Sequence, residues 1–259
     1  MDISVATAGL AIASGAIVGA LLALFGGGGS VLATPLLLYV VGVRDPHVAI
    51  GTSAAAVAFN AAGNVVGHWR GGRVKWPCAS VFAAAGLIGS FLGSSLAKQV
   101  EGQRLLLLFA IAMAAIALSM LRKPRNEGDP TVHITWPLVA RLAPIGVVTG
   151  FAAGFFGIGG GFLIVPGLMA ATGMTLANAA ASSLVSVTLF GTATAANYAA
   201  SGLVDWPIAG LFIAGGALGG LVGLRGAKLL ADRATLARRL FAILVLAVAA
   251  YVGWRAANG

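Results

Sequence analysis

Apolar residues in this chain neither alternate nor form a single helical stripe. They fill whole runs of about 20 positions, the length a helix needs to cross a hydrocarbon core. Eight such runs, at roughly 3–24, 48–68, 76–97, 104–121, 137–156, 177–199, 206–227 and 236–256, predict eight membrane helices. Polar residues gather in the breaks. The long hydrophilic stretch that begins at Arg122 contains Pro, Gly and mixed charges, which mark a linker, so the chain divides into a unit at 1–121, a linker at 122–136 and a second unit at 137–259. Asp2, rather than the basic residues of a cleavable signal, precedes the first run, which is therefore expected to stay in the mature protein.

The two units are copies. Setting Gly19 against Gly150 aligns Phe25 with Phe156, Gly26 with Gly157, Gly29 with Gly160, Pro35 with Pro166 and Gly42 with Gly173 at a constant offset of 131. After a one-residue gap the register continues at 130, through Thr52-Ser53 with Ser182-Ser183, Gly72 with Gly202, Trp76-Pro77 with Trp206-Pro207, and Lys98 with Lys228. Duplicated hydrophobic units interrupted at matching places point to a secondary-transporter fold. Gly86, Gly89 and Gly93, mirrored by Gly216, Gly219 and Gly223, are expected at close helix crossings, since small residues let backbones approach where lipid supplies no hydrophobic drive.

Composition narrows the function. The chain has 259 residues, 59% of them hydrophobic and only 9% charged, and none of its seven carboxylates lies at the centre of an apolar run. Metal-cation transport and an intramembrane carboxylate proton relay are thereby disfavoured. Cys78 is a single cysteine, which leaves no disulfide framework and no metal-ligand cluster, and nothing calls for a cofactor. The net charge of +9 sits at segment ends rather than on a basic soluble face, so it does not suggest nucleic acid. The surroundings it implies are a lipid bilayer, and oligomerisation is left open.

Eight plain crossings would divide the 16 Lys and Arg residues evenly between the two sides. If each Gly-rich break and its following short run turn back instead, twelve basic residues fall on one side, against Arg44, Lys98, Arg104 and Arg255 on the other. That is a positive-inside bias. It predicts an all-α polytopic membrane protein of two inverted four-helix repeats, each with a Gly-rich re-entrant hairpin, with both termini outside and the linker cytoplasmic.

The breaks are the sharpest local feature: Phe25-Gly-Gly-Gly-Gly-Ser-Val-Leu-Ala-Thr-Pro35 and Phe156-Gly-Ile-Gly-Gly-Gly-Phe-Leu-Ile-Val-Pro166. Each glycine costs a helix about 1 kcal/mol relative to Ala, and irregular backbone at membrane depth must be buried in protein or line a wet cavity. The short runs that follow, Leu36 to Val43 and Gly167 to Gly173, read as half-helices. A helix start inside the membrane aims unpaired N–H groups and a positive dipole end at an anion, which makes Gly27, Gly28, Gly29, Ser30, Gly159, Gly160 and Gly161 candidate anion-binding positions. The same glycines would also serve a plain helix hairpin. On the next helix Thr52, Ser53, Asn60 and Asn64, and in the second unit Ser182, Ser183 and Asn197, supply uncharged donors; interhelical hydrogen bonding is their other use. His68, beside Trp69-Arg70, is expected at the membrane interface.

The doubled Gly-rich motif ending in Pro, with Ala-Ile-Gly-Thr-Ser at 49–53, Ala-Ala-Ala-Ser-Ser at 179–183, and Gly-x-Val-x-Trp at 72–76 matched by Gly-Leu-Val-Asp-Trp at 202–206, resembles the TauE/SafE sulfite-exporter family over the whole chain. The resemblance implies a multi-pass permease of the bacterial inner membrane for sulfite, organosulfonates or another small anion. It places the family motif on Gly26 to Ser30 with Pro35, Gly157 to Gly161 with Pro166, Thr52-Ser53 and Ser182-Ser183. Gly27 opposite Ile158, and Ser30 opposite Gly161, depart from strict duplication. Two rivals are weaker. His47, His68 and His133 lie near segment ends and no nucleophile motif occurs, which argues against an enzyme; a structural or assembly subunit of a larger membrane complex is the other rival, which unaided transport by purified, reconstituted protein would dismiss.

Overall fold

The computed structural model describes residues 4–121, 128–129, 131–157, 161–229 and 234–258. Apart from one isolated bridge between Asp129 and Met174, the described chain is helical: α1 (Val5–Phe25), a 3-10 turn (Gly26–Leu32), α2 (Ala33–Leu36) running into a π turn (Leu37–Val41), α3 (Pro46–Arg70), α4 (Trp76–Ala97), α5 (Gly102–Leu121), α6 (Trp136–Phe156), α7 (Gly161–Thr172), α8 (Leu176–Ala199), α9 (Trp206–Leu229) and α10 (Ala234–Asn258). Eight segments are long and apolar enough to cross a membrane, matching the eight hydrophobic runs, whereas α7 is too short.

Local signals set these boundaries. Asp45 accepts a hydrogen bond from His47 N and is followed by Pro46, and Thr175 accepts one from Asn178 N. Three Trp-Pro pairs open α4, α6 and α9; proline in the first turn has no N–H to waste and a φ already suited to helix. Between α5 and α6, Asp129 N donates to Gly173 O at the end of α7. Thr131 N and Oγ1 both donate to the Asp129 carboxylate and hold it below its ordinary range.

Packing obeys the exchange of units. α1 lies against α9 and α4 against α6, while α3 pairs with α8 and α5 with α10. The first two are one contact seen twice, because α1 corresponds to α6 and α9 to α4. Glycines make it possible: a Cβ on Gly19 would strike the backbone carbonyl of Gly216, and one on Gly150 that of Gly86. Likewise Gly89 meets Val147 O, Gly93 meets Phe151 O, Gly219 meets Ala16 O and Gly223 meets Ala20 O. The glycine pattern in the sequence is a pattern of backbone-to-backbone crossings.

The breaks differ from the expected irregular loops. A single residue, Gly26, reverses the chain at φ 62 and ψ −145, a conformation open essentially to glycine alone, and helix resumes at once as the 3-10 turn. The returning segment therefore runs from Gly26 to Val41, longer than the expected half-helix, and Gly42 ends it at φ 89. In the second unit Gly157 turns at φ 66, α7 starts by Gly161, and Gly173 ends it at φ 71. Gly27 to Leu32 are helical because 3-10 geometry tolerates the missing side chains and all seven residues of the turn are buried.

The glycine break and its hydroxyl pairs

Consecutive hydroxyls at the start of α3 and of α8 divide their work. On α8, Ser183 Oγ donates to Ala180 O at 2.7 Å and accepts from Gly27 N at 2.9 Å. On α3, Ser53 Oγ shares its proton between Ile50 O at 2.9 Å and Gly157 O at 3.4 Å, and meets Thr34 Oγ1 at 2.8 Å. The neighbouring hydroxyl of each pair reaches a loop instead: Thr52 Oγ1 accepts from Asp205 N, and Ser182 Oγ accepts from Lys75 N, both at 2.9 Å. Asp205 and Lys75 are themselves counterparts in the duplication. Thr52, Ser53, Ser182 and Ser183 are all fully buried, and each binds the other unit.

The 3-10 turn lies between these anchors. Gly27 N is held by Ser183, Ser30 Oγ donates to Gly27 O at 2.7 Å, and Thr34 at the far end is tied to Ser53. Its glycines are not equivalent. A Cβ on Gly26 would meet Ala180 backbone and one on Gly29 would meet Leu21 and Leu22 backbone, whereas Gly28 faces only the side chains of Phe241, at 3.6 Å, and Phe25. Phe25 and Phe241 stack with ring centroids 4.4 Å apart. Gly161 opens α7; Gly159 and Gly160 lie outside the described residues.

The amides lie elsewhere. Asn60 and Asn64 occupy the seam between α3 and α9, against Gly216 and Gly220, with Asn64 Nδ2 donating to Asn60 O at 3.0 Å and Asn60 Nδ2 buried without a protein partner. His68 continues that line. It is buried rather than interfacial, and its Nε2 meets Ala23 O on α1 at 3.0 Å.

Asn197 belongs to a separate polar knot joining α4 to α8. Its Nδ2 donates to Ser94 Oγ and Ser95 Oγ at 2.7 and 2.9 Å, and Lys98 Nζ donates to Asn197 O, Asn197 Oδ1 and Ser201 Oγ at 3.1, 2.8 and 2.9 Å. Sequence reasoning had no role for Thr34 or Lys98. The Lys98/Lys228 match was the available signal for the latter; Thr34 has Val165 as its counterpart and carried none. A lysine that donates to a carbonyl in the last turn of α8 acts as a cationic cap. Lys98→Met is expected to lower stability by about 2 kcal/mol, the scale of a lost charged hydrogen bond at a half-exposed site, read as an earlier melt in detergent.

Charge is absent from the break and the hydroxyl pairs. Among the described residues the one salt bridge is the exposed Arg104–Glu101 pair, and no group of three His, Cys, Asp or Glu side chains is placed to hold a metal ion. Hydroxyl oxygens and backbone N–H groups can exchange partners with an oxyanion at lower desolvation cost than charged groups would require.

Comparison with known proteins agrees with this setting. No solved structure matches the chain. A protein of Xylella fastidiosa (strain Temecula1) described as a "probable membrane transporter protein" is 51% identical, with 94% of each chain covered. The Bacillus subtilis protein described as "probable membrane transporter protein YunE" is 27% identical, covering 81% of this chain and 84% of its own. The family profile described as Sulfite exporter TauE/SafE matches residues 11–252, a range that holds both glycine breaks and reaches into all eight membrane-crossing segments, and the chain belongs to the TauE/SafE family of membrane transporters.

Proposed function

We propose that this protein is a secondary transporter of small sulfur-containing oxyanions such as sulfite or organosulfonates, bound where the Gly26–Leu32 turn meets α3, α7 and α8. One observation carries this reading: a wholly buried and uncharged glycine turn is held at Gly27 by Ser183 and, just beyond it, at Thr34 by Ser53, members of two hydroxyl pairs that reach across to the opposite unit. An anion entering there takes Gly27 N–H from Ser183 and the hydroxyl proton of Ser30 from Gly27 O. Because each new bond replaces an existing one, net affinity stays modest, as a carrier that must release its cargo requires. The unpartnered Asn60 Nδ2 supports a polar approach along α3.

The positive-inside bias of the loops supports both termini outside and the 122–136 linker in the cytoplasm, and with that an inverted relation of 1–121 to 137–259. A reporter fused after Gly259 is expected to behave as external; cytoplasmic behaviour overturns this orientation. The substrate is tested with purified protein and a panel of sulfite, sulfoacetate, thiosulfate, sulfate and acetate. A true substrate at about 100 times its Kd stabilises by about 2.7 kcal/mol, readable as a shift in melting temperature. Acetate shifting the melt as much as any sulfur anion would defeat the substrate class, and reconstituted protein that fails to move any of them unaided would favour an assembly role.

A further inference from the structure

The two hydroxyl pairs sit at opposite ends of one antiparallel helix pair. Gly51 on α3 lies against Tyr198 on α8, and Gly191 lies against Ala54 and Ala58. That register separates Thr52-Ser53 from Ser182-Ser183 by about 20 Å along the helix axes, at 1.5 Å per residue. Each pair grips one loop and one glycine break of the opposite unit: Asp205 N and Gly157 O at one end, Lys75 N and Gly27 N at the other. Both loops turn at left-handed glycines, Gly202 at φ 69 and Gly72 at φ 67.

We propose that these pairs are the two gates of the transport cycle, Thr52-Ser53 closing the end at loop 201–205 and Ser182-Ser183 closing the end at loop 71–75. The inference rests on the transporter reading and adds how access alternates. The segment from Gly26 to Thr34 is the mechanical link between them. Ser183 holds it at Gly27 and Ser53 holds it at Thr34, about 13 Å along the 3-10 turn at 2.0 Å per residue and the start of α2 at 1.5 Å per residue. A slide of this stiff segment that releases one anchor seats the other more firmly.

The test uses the full chain with Cys78→Ser, so that a cysteine placed at Val31 in the middle of the link, or at Val57 on α3, both fully buried, reports opening to a membrane-impermeant thiol reagent in vesicles of either orientation. Thr52→Val, which keeps shape and removes the hydroxyl, is expected to raise labelling about fivefold from the 201–205 end alone, the population change that one ordinary hydrogen bond commands. Ser182→Ala is expected to do so from the 71–75 end alone, and Thr52→Ser to label like the parent. Equal rises from both ends mean general loosening and overturn the proposal, as does no rise in either variant. Anion flux is not the readout, so a wrong substrate assignment leaves the sidedness result standing and a wrong gate assignment leaves the binding panel standing.

Discussion

Gly19→Leu and Gly150→Leu are each expected to leave no monodisperse protein in detergent, while Gly63→Leu and Gly210→Leu extract and melt like the parent. At Gly19 the added Cβ falls on the backbone of Gly216, and at Gly150 on the backbone of Gly86. Backbone cannot rotate aside as a side-chain tip can, so α1 must separate from α9, or α6 from α4, along the whole crossing. Overpacking of a tight core costs 1–3 kcal/mol even when side chains give way; here the full set of small-residue contacts is at stake, and about 5 kcal/mol would exhaust the stability of many proteins. Nothing lies within 4 Å of a Cβ at Gly63 or Gly210, and both are turned toward lipid or open space. The two damaging variants should fail together, because they probe one contact in its two copies. Survival of Gly150→Leu beside loss of Gly19→Leu would show that the copies do not share that contact.

The second large effect separates function from folding inside one motif. Gly28→Ala is expected to fold and transport, and Gly28→Leu to fold but lose anion flux by at least tenfold. At Gly28 the nearest atoms to a Cβ are a Phe241 ring carbon at 3.6 Å and Phe25 Cβ at 3.8 Å, ordinary van der Waals contact with side chains. A leucine there can push Phe241 aside, yet it crowds the turn that carries Gly27 N and Ser30, where the anion is proposed to bind. Gly26→Ala and Gly29→Ala run into Ala180 and Leu21–Leu22 backbone, and Gly26 also needs its positive φ, so those variants are expected to misfold. Flux by reconstituted protein, measured beside its melt, decides the matter. Full transport by Gly28→Leu would remove the 3-10 turn from the substrate path.

Several parts of this architecture were legible without coordinates because they depend on local chemistry. A run of apolar residues crosses lipid whatever its neighbours, a Trp-Pro pair starts a helix because proline has no N–H to satisfy, and glycine is needed wherever φ is positive. Hence α1, α3 to α6 and α8 to α10 lie where hydropathy places them, and Gly26, Gly42, Gly157 and Gly173 turn the chain where the motif breaks. The length of the returning segments was less legible. Four glycines read as disruption, but one left-handed residue is enough to reverse the chain, which frees the next three to continue as 3-10 helix.

Side-chain partners were the least legible, and Thr52 and Ser53 show why. The two hydroxyls are adjacent, identical in chemistry as acceptors and equally buried, yet one holds the amide of Asp205 and the other meets Thr34 and the carbonyl of Gly157. A hydroxyl bonds to whatever donor or acceptor packing brings near, so its sequence neighbourhood says nothing of its partner. Asn197 makes the same point: its place on α8 resembles that of a cavity-lining amide, but α4 packs against it and commits it to Lys98, Ser94 and Ser95. The sequence by itself determined a duplicated, membrane-spanning helical chain broken twice by glycine, since hydropathy and backbone freedom belong to individual residues. Only the tertiary structure decided that the hydroxyl pairs clasp the opposite unit at two ends, since a hydrogen bond between residues more than 100 positions apart exists only once both helices have been packed.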